Sequence, residues 1–448
     1  MTYKKISKDV IIIGAGISGL VAAHTSSELG FDTLVIEKND VIGGANISKI
    51  TKKGKIFDHG YHALDFNRSK MTTKFFKEML DSKYYKIKLK RGIVLKNDLI
   101  TYNSPLKQWP SDLKELFDLK SNFDSIKNNV TKNKIKKTYG EKFTNFIFSD
   151  ILQSYPTIKW AIKNNAKNEN IIEMVYPWFF PKLKKNIAET ESGNFHDRMR
   201  NYSKHYILYP KRNGFGEFIN GIQRKINKKR CKIIKNAKNI KFIFDSKNNL
   251  KKIIIKNKEY NAKKYFWCTS PIILLKCMKK DEIKINKKIN QTLLIGNCTF
   301  SNPIQIDLHE ILVGSIEHKI NRISFPGNIQ QRENLQIQIE FLITKDDIDT
   351  SETQWMKLWL SSLEKIGIIT SKNKICEFEL KKEEKGFATT EKYETIRKEY
   401  EKKFEKILKN SNVTLPYLNL GPENLNRVIP GTKLNVMNSL RTIKGINV

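Results

Sequence analysis

Runs of apolar residues near the amino terminus predict a strand, a helix and a second strand. Val10–Ile13 is continuously apolar, as expected for a strand buried on both faces of a parallel sheet. Leu20 and Ala23 continue at helical spacing, and Gly30 is placed to end that helix. A second apolar run ends at Glu37. The pattern therefore predicts a β-α-β unit.

Later segments show other periodicities. Apolar and polar residues alternate in three stretches, which predicts antiparallel strands at 293–308, 318–328 and 334–344. Helical patterns predict helices at 68–82, 141–153 and 389–409. We therefore expect a second unit with an antiparallel sheet.

Three glycines give the first strand-to-helix turn its chemistry. Gly14, Gly16 and Gly19 have the G-x-G-x-x-G spacing of a dinucleotide-binding turn. The first glycine permits the turn, the second lets a pyrophosphate approach the backbone, and the third lets helix and strand pack closely. Glu37 ends the next strand, about 20 residues on, where a carboxylate accepts hydrogen bonds from ribose hydroxyls. The combination predicts a dinucleotide site.

A glycine pair after that acid separates flavin from nicotinamide binding. With Gly43 and Gly44 the sequence resembles the FAD-dependent amine-oxidase-like superfamily, which includes monoamine oxidases, protoporphyrinogen oxidase, phytoene desaturases and, more distantly, UDP-galactopyranose mutase. The resemblance implies an α/β fold: a Rossmann-like FAD-binding domain with an inserted α+β substrate domain containing an antiparallel sheet. Ala45 stands where the superfamily usually has Arg, a departure that the mutases often share.

Other segments carry the same resemblance. Asp58, Gly60 and His62 match a strand and turn that approach the isoalloxazine ring, and 205–226 resembles the return to the FAD domain. The segment 231–244 resembles the strand beside the adenine. The resemblance implies FAD as cofactor, bound by Gly14, Ala15, Gly16, Ser18, Gly19, Glu37, Lys38, Gly43, Gly44, Gly60, Tyr61, His62, Ile240, Thr269, Gly421 and Thr432.

The carboxyl-terminal motif matches in layout more than in side chains. Gly421 stands after the predicted strand, and Pro422 replaces the usual Asp. We expect Thr432 at the start of a helix whose amino terminus points at the flavin. The resemblance divides the chain into an FAD-binding domain, 1–66, 205–281 and 411–448, and a substrate domain, 67–204 and 282–410.

Charge narrows the partners only slightly. The formal net charge is +36, but only 12 of the 82 basic residues are Arg, so the excess is mostly Lys, as A+T-rich coding would produce. We interpret it as a solvated surface with no specific nucleic-acid partner, whose positive field favours an anionic substrate. The five cysteines lack metal-ligand or disulfide spacing, so we expect no metal and a reducing cytoplasm.

No apolar run is long enough to span a membrane. The aromatic segment 174–185 fits an internal corner, a pocket lid or a peripheral membrane contact. We expect a small-molecule substrate and make no prediction of oligomeric state. The catalytic candidates are His62, Arg212 and Arg322, and Arg200 is a further candidate for an anionic substrate. Each also fits a structural role, His62 in a turn and the arginines in ion pairs.

Three functions stay open. The favoured hypothesis is an FAD-dependent oxidoreductase that transfers hydride from a small organic substrate to flavin N5. The first alternative is a flavoenzyme like UDP-galactopyranose mutase acting on a nucleotide-sugar without net redox change. The second alternative is a non-enzymatic basic binding protein on a degenerate flavoprotein fold, which Pro422 alone favours.

Overall fold

The computed structural model describes residues 3–66, 69–101, 132–146, 206–281, 288–343, 349–389, 393–418 and 425–443, with 111, 148–149 and 283–284. The strands are β1 (Lys4–Ile13), β2 (Thr33–Ile36), β3 (Ser48–Ile50), β4 (Ile56–Asp58), β5 (Leu64–Asp65), β6 (Tyr84–Lys88), β7 (Arg91–Leu95), β8 (Asp98–Thr101), β9 (Tyr206–Pro210), β10 (Cys231–Ile234), β11 (Lys241–Phe244), β12 (Leu250–Ile255), β13 (Lys258–Trp267), β14 (Lys288–Phe300), β15 (Glu310–Val313), β16 (Arg322–Ser324), β17 (Gln336–Ile343), β18 (Ile375–Thr389) and β19 (Val413–Thr414). The helices are α1 (Ile17–Glu28), α2 (Lys70–Met79), α3 (Lys132–Phe146), α4 (Gly216–Lys225), α5 (Pro271–Cys277), α6 (Pro326–Ile329), α7 (Glu352–Lys365), α8 (Tyr393–Leu408) and α9 (Leu425–Ile443).

The first sheet is mainly parallel and contains the predicted β-α-β unit. Its order is β10-β2-β1-β13-β12-β11, with β19 beside the end of β13. β1 pairs in parallel with β2 and β13, and β2 pairs in parallel with β10. Val10, Ile11 and Ile12 have no exposed surface, which fits a central strand covered on both faces.

Helices cover both faces of this sheet. On one face α1, α2, α4 and α9 share a core with β1 and β9. On the other face α5 and α8 pack against β13 through buried residues such as Tyr400 and Phe404. Although the sequence assigned residues up to 410 to the substrate domain, α8 packs on the first sheet. The domain boundaries themselves stay a prediction.

The second sheet confirms the expected antiparallel unit. Its order is β18-β14-β17-β16-β15-β7-β8, and every neighbouring pair is antiparallel except β7 with β15. Helix α7 covers one face with the fully buried Trp355 and Trp359. A small sheet, β5-β9-β6, and the β3–β4 hairpin complete the described strands. The predicted α/β class with a Rossmann-like domain and an antiparallel sheet is confirmed.

Two absences concern only the described part of the chain. None of the helices there is both long and apolar enough to cross a bilayer. No group of three or more His, Cys, Asp or Glu side chains there could hold a metal ion. The aromatic segment 174–185 and Arg200 lie outside the described residues.

Candidate functional site

The loop between β1 and α1 leaves the amino terminus of α1 open to an anion. A Cβ on Gly19 would lie 1.9 Å from the Gly14 carbonyl oxygen, so α1 can approach β1 this closely only with glycine. Gly16 caps α1 in an extended conformation, with no side-chain cap and no acidic residue in the first turn. The first N–H groups of α1 therefore have no intrahelical acceptor and favour a negatively charged ligand.

Glu37 lies buried at the end of β2, beside this loop. One carboxylate oxygen accepts the N–H of Ala15 at 2.8 Å, and the other accepts the N–H of Asn39 at 2.9 Å. Because a carboxylate has about four lone-pair sites, it retains capacity for ligand hydroxyls. The main chain of Glu37 also accepts the N–H of Ala237, which brings the segment after β10 to this edge.

The glycine pair after β2 is joined to the same loop. The Gly43 N–H donates to the Ala15 carbonyl at 2.8 Å, and Gly43 forms a β-bridge with Gly16. Gly44 has φ +61°, and its Cβ would lie 3.3 Å from the Gly16 Cα. Thr269, just after β13, lies against the loop. A Cβ on Gly14 would lie only 2.5 Å from the Thr269 Cγ2 atom. The structure thus brings four separate predicted segments together.

One expectation about the carboxyl-terminal helix is wrong. Helix α9 is already formed at Leu425, so Thr432 lies in its interior and not at its start. Pro430 sits inside the helix and lacks an N–H, but the helix continues through it. Thr432 nevertheless reaches the nucleotide loop, because its fully buried hydroxyl lies 3.0 Å from that of Ser18.

Asp58 organises the turn after β4. Its carboxylate accepts hydrogen bonds from the hydroxyl of Ser48 at 2.6 Å, the hydroxyl of Tyr209 at 2.7 Å and the N–H of Phe215 at 2.8 Å. Burial raises the pKa of Asp58, although the hydrogen bonds from Ser48 and Tyr209 oppose that shift. Its carbonyl oxygen accepts from Gln338 of the second sheet at 2.8 Å. Asp58 therefore ties the hairpin to three other segments.

The next residues present polar atoms between the two sheets. His62 Nδ1 lies 3.0 Å from the Gly60 carbonyl, so it carries the proton and leaves Nε2 as an acceptor in the neutral ring. The hydroxyl of Tyr61 is buried and has no hydrogen-bond partner among the described residues. Burial, and then the charge of Glu310, raise the pKa of Tyr61 well above its usual value.

A buried ion pair of the second sheet holds this turn. Glu340 accepts the N–H of Tyr61 at 2.6 Å through one oxygen and pairs with Arg322 at 2.6 Å through the other. Burial raises the pKa of Glu340, but the charge and hydrogen bond of Arg322 outweigh it and leave that pKa below the usual value. The Arg322 guanidinium carbon lies 5.1 Å from the centre of the Tyr61 ring.

The remaining predicted site residues differ in their burial and in their contacts. Arg322 is engaged by Glu340, while Arg212 lies exposed on the turn between β9 and α4. Lys38 is exposed at the end of β2, and the half-buried side chain of Ile240 packs into the core of the first sheet. Gly421 lies outside the described residues.

Sequence reasoning missed Glu340. Its only signal was a polar position at the even spacing of Gln336 and Gln338, which a solvated strand face would also show.

Several known proteins resemble this chain in sequence or in fold. A family described as NAD(P)-binding Rossmann-like domain matches residues 12–79. UDP-galactopyranose mutase of Mycoplasma genitalium is 27% identical over 179 residues, which is 38% of this chain and 44% of that protein. A crystal structure of reduced UDP-galactopyranose mutase superposes with a TM-score of 0.70 at 13% identity, covering 98% of this chain and 96% of that one.

A second solved structure, from Exiguobacterium sp. 255-15 and assigned as a protoporphyrinogen oxidase, has a TM-score of 0.67 at 11% identity, covering 98% of this chain and 100% of that one. The chain has the fold of the FAD-dependent amine-oxidase-like superfamily. The resemblance to this superfamily that the glycine motifs carry is thereby confirmed. FAD is the cofactor of this superfamily.

The described residues fit FAD on physical grounds. Apart from Gly16 itself, its chain neighbours and the adjacent backbone of α1, no heavy atom of the described chain lies within 4 Å of the position that a Cβ on Gly16 would take, so the loop is open where a pyrophosphate would lie. The uncapped amino terminus of α1 and the spare acceptor sites of Glu37 suit a phosphate and a ribose. The unpartnered Tyr61 hydroxyl is a buried donor that a ligand could satisfy.

Proposed function

We propose that this protein is an FAD-dependent oxidoreductase that oxidises a small organic substrate. Bound FAD supplies the chemistry by accepting a hydride at N5 from a C–H bond next to nitrogen, oxygen or an unsaturated carbon. The observation that carries the proposal is the fixed turn Asp58–His62. It lies between the sheets, with an unpartnered hydroxyl and a ring-nitrogen acceptor.

The nucleotide half of the site would hold the cofactor. In this proposal Gly16 and the amino terminus of α1 bind the pyrophosphate, and Glu37 accepts hydrogen bonds from the ribose hydroxyls. The backbone of Gly60 would contact the flavin ring, and Thr432, through its contact with Ser18, holds α9 beside the same loop. Gly43 and Gly44 provide the close backbone approach beside Gly16.

The turn would position the substrate and take its proton. Since His62 Nδ1 donates to the Gly60 carbonyl, the Nε2 acceptor can receive a proton from a substrate amine or alcohol as hydride leaves carbon. The Tyr61 hydroxyl would orient the same group. Arg322 is already paired with Glu340, so it is a weak candidate for binding a substrate anion directly.

Gly16→Ala tests the cofactor site with a one-atom change. Gly16 has φ −70° and open space at its Cβ position, so alanine fits the protein without strain. We expect unchanged thermal unfolding of the cofactor-free protein and at least tenfold weaker FAD binding in a flavin fluorescence titration. Gly30→Asn is the control, because Gly30 is also open but lies at the other end of α1. Equal FAD affinity in wild type and Gly16→Ala would contradict this placement.

Mutase chemistry on a nucleotide-sugar is the second candidate. It is favoured by the match to the Mycoplasma genitalium mutase and by Ala45, which stands where the oxidases usually have Arg. Under this alternative the enzyme needs reduced flavin and leaves the redox state of its substrate unchanged. The matched stretch covers less than half of that mutase, so it does not carry the substrate over by itself.

Anaerobic flavin spectra separate the two candidates. An oxidoreductase loses the visible absorbance of its oxidised flavin on addition of an amine, alcohol or polyene substrate, about one flavin per substrate oxidised. A mutase is active only after dithionite reduction, with a UDP-sugar, and no substrate bleaches the oxidised flavin. Dithionite-dependent conversion of a UDP-sugar, without bleaching by any oxidisable substrate, would overturn the oxidoreductase proposal.

The non-enzymatic alternative is the least supported. Its one specific support is Pro422, which lies outside the described residues. A protein that had lost FAD would not need the close packing and open space that Gly19 and Gly16 retain in the nucleotide loop. A protein that stays colourless after incubation with FAD would favour it. We further propose a cytoplasmic location, since all five cysteines are free in the structure.

A further inference from the structure

A basic cavity lies along the free edge of β6, and its lining contains none of the predicted flavin residues. Its volume is about 460 Å³, within the range of small-molecule sites. Strand β6 pairs with β9 on one side, and no described strand pairs with its other side. Residues 85–88 of this edge form one wall. Alternate backbone N–H groups of such an edge point away from the neighbouring strand.

The second wall is formed by Lys90 with residues from the segment 307–309, and the third by residues from the segment 328–332. Hydrogen bonds between distant segments fix both. His309 is 5% exposed and joins the two, because its Nδ1 accepts the Lys90 N–H at 2.9 Å and its carbonyl accepts the Phe325 N–H. Asn328 donates to the carbonyls of Ile306 and Leu308, both at 2.7 Å. The cavity is therefore a rigid feature of the packing between the small sheet and the second sheet.

The turn that carries Arg332 is equally constrained. A Cβ on Gly327 would lie 2.7 Å from the Glu333 carbonyl oxygen, so the turn closes tightly only with glycine. The Arg332 N–H donates to the Gly327 carbonyl at 2.9 Å. The guanidinium is thus attached to a fixed backbone at the rim of the cavity.

The lining is more basic than the chain as a whole. Four of its ten residues are basic, against 82 of 448 in the full sequence, and one carboxylate, Asp307, opposes them. Lys90 pairs with Asp307, and Lys86 lies over the rings of Phe66 and Tyr206. Lys88 and Arg332 are exposed at the cavity and have no ion pair among the described residues.

His309 adds a directional donor to these charges. Because Nδ1 accepts a hydrogen bond, the ring proton of the neutral imidazole is on Nε2. No described side chain or carbonyl accepts that proton, and His309 is one of the residues that line the cavity. A guanidinium, an ammonium and a fixed N–H around one space are the donor set that recognises a phosphate group.

We propose that this cavity is a second ligand site that binds a phosphate-bearing small molecule. Arg332 and Lys88 contact the phosphate oxygens, and His309 donates its Nε2 proton to the same group. The site is independent of the flavin chemistry, so it stands whether the protein is an oxidoreductase or a mutase. The volume exceeds that of a free phosphate ion and suits an organic phosphate.

Calorimetric titration of the FAD-loaded full chain at about 0.15 M ionic strength tests the proposal, because bulk charge is then screened beyond about 8 Å. The probes are inorganic phosphate, pyrophosphate and ribose 5-phosphate. We expect one site per chain for at least one probe, and a loss of affinity of about tenfold or more in Arg332→Gln and in Lys88→Gln. Tighter binding of ribose 5-phosphate than of inorganic phosphate identifies an organic ligand, and the reverse order identifies the free ion.

Arg230→Gln is the matched control, since it removes the same charge from an exposed position at the start of β10. It should leave the affinity unchanged. Both lining side chains are exposed, so their variants should show wild-type circular dichroism and thermal unfolding. Absence of binding by all three probes would overturn the proposal. Equal losses in Arg230→Gln and Arg332→Gln would also overturn it, by showing only the field of a highly basic chain.

Discussion

Replacing Glu340 with Gln should separate the two contacts that this buried carboxylate makes. Glutamine has the same shape and can still accept the Tyr61 N–H through its carbonyl oxygen. Its neutral amide would face the Arg322 guanidinium, which the carboxylate contacts at 2.6 Å. The perturbation therefore removes the charge partner and keeps the backbone contact.

The magnitude follows from burial. The side chains of Arg322 and Glu340 are only 19% and 8% exposed, so solvent screens the pair weakly. Removing one partner of a buried pair costs about 3–5 kcal/mol, because the remaining charge loses its hydrogen-bonded counter-ion; the charge of Glu310 also acts on Arg322 and favours the lower end of this range. Since a folded domain is stable by only about 5–15 kcal/mol, Glu340→Gln should shift urea unfolding markedly. Tryptophan fluorescence reports it, since Trp355 and Trp359 lie in the core of the second sheet.

A double-mutant cycle identifies the cause. Arg322→Met removes the buried positive charge that Glu340→Gln deprives of its counter-ion. The double variant Glu340→Gln/Arg322→Met should therefore be more stable than Glu340→Gln alone. Additive losses of the two single variants would refute the reasoning. The exposed pair Lys365–Glu317 is the control, with side chains 53% and 45% exposed. Glu317→Gln should cost less than about 1 kcal/mol.

Glu340→Ala extends the test to the turn. Alanine removes the acceptor of the Tyr61 N–H as well as the partner of Arg322. We expect Glu340→Ala, but not Glu340→Gln, to shift the visible spectrum of bound flavin, because only alanine releases the turn proposed to line the ring. Identical spectra of the two variants would show that the turn does not depend on this contact.

Three further outcomes are expected. Gly19→Ala should fail to fold or lose several kcal/mol, measured by urea unfolding, because its Cβ would lie 1.9 Å from a carbonyl oxygen. Glu37→Gln should keep the fold, since an amide oxygen still accepts one backbone N–H, but weaken FAD binding in a fluorescence titration. Burial, and then the charge of Lys90, lower the pKa of His309 from 6.5 to about 4. Because the unfolded chain binds this proton first, the free energy of unfolding should fall by about 3 kcal/mol as pH drops from 6.5 to 4. His309→Gln should lose that part of the pH dependence.

The nucleotide half could be predicted because its constraints are local. A strand buried on both faces must be continuously apolar, and a helix that starts beside a pyrophosphate needs glycine at set positions. Gly14 and Gly19 satisfy geometric conditions that other residues cannot, as φ +97° at Gly14 and the 1.9 Å approach at Gly19 show. Such positions identify their structure from sequence alone.

The buried polar face of β17 could not be predicted in the same way. Alternation shows that Gln336, Gln338 and Glu340 share a face, but it does not show what covers that face. All three are buried under the β3–β4 hairpin and the turn after it. Gln336 donates to the Ile56 carbonyl and Gln338 to the Asp58 carbonyl, both at 2.8 Å. The covering hairpin is about 280 residues away in the chain. Only the tertiary structure distinguishes such a face from a solvated one.

The carboxyl-terminal helix shows how tertiary packing overrides a local signal. A Pro-Gly pair at 430–431 is unfavourable inside a helix, since proline removes one backbone donor, and the expected helix start, Thr432, lies after it. Helix α9 continues through it because its apolar face is fully buried on both sides of the proline, at Ile429, Val436 and Leu440. Burying each such side chain contributes about 1.5–3 kcal/mol, and together they exceed the cost of about 3 kcal/mol for an interior proline.

The same dependence on tertiary partners decides which basic residues are available to ligands. Arg322 lies in a promising sequence segment, yet a carboxylate eighteen residues away engages it. Arg332, ten residues farther along, has no distinctive sequence context, and its turn faces a cavity. An arginine binds an external anion when its local carboxylates are already satisfied or absent, and that condition depends on the packing of distant strands. The large basic excess of this chain is therefore a poor guide to its sites, whereas the few buried carboxylates show which cations are already paired.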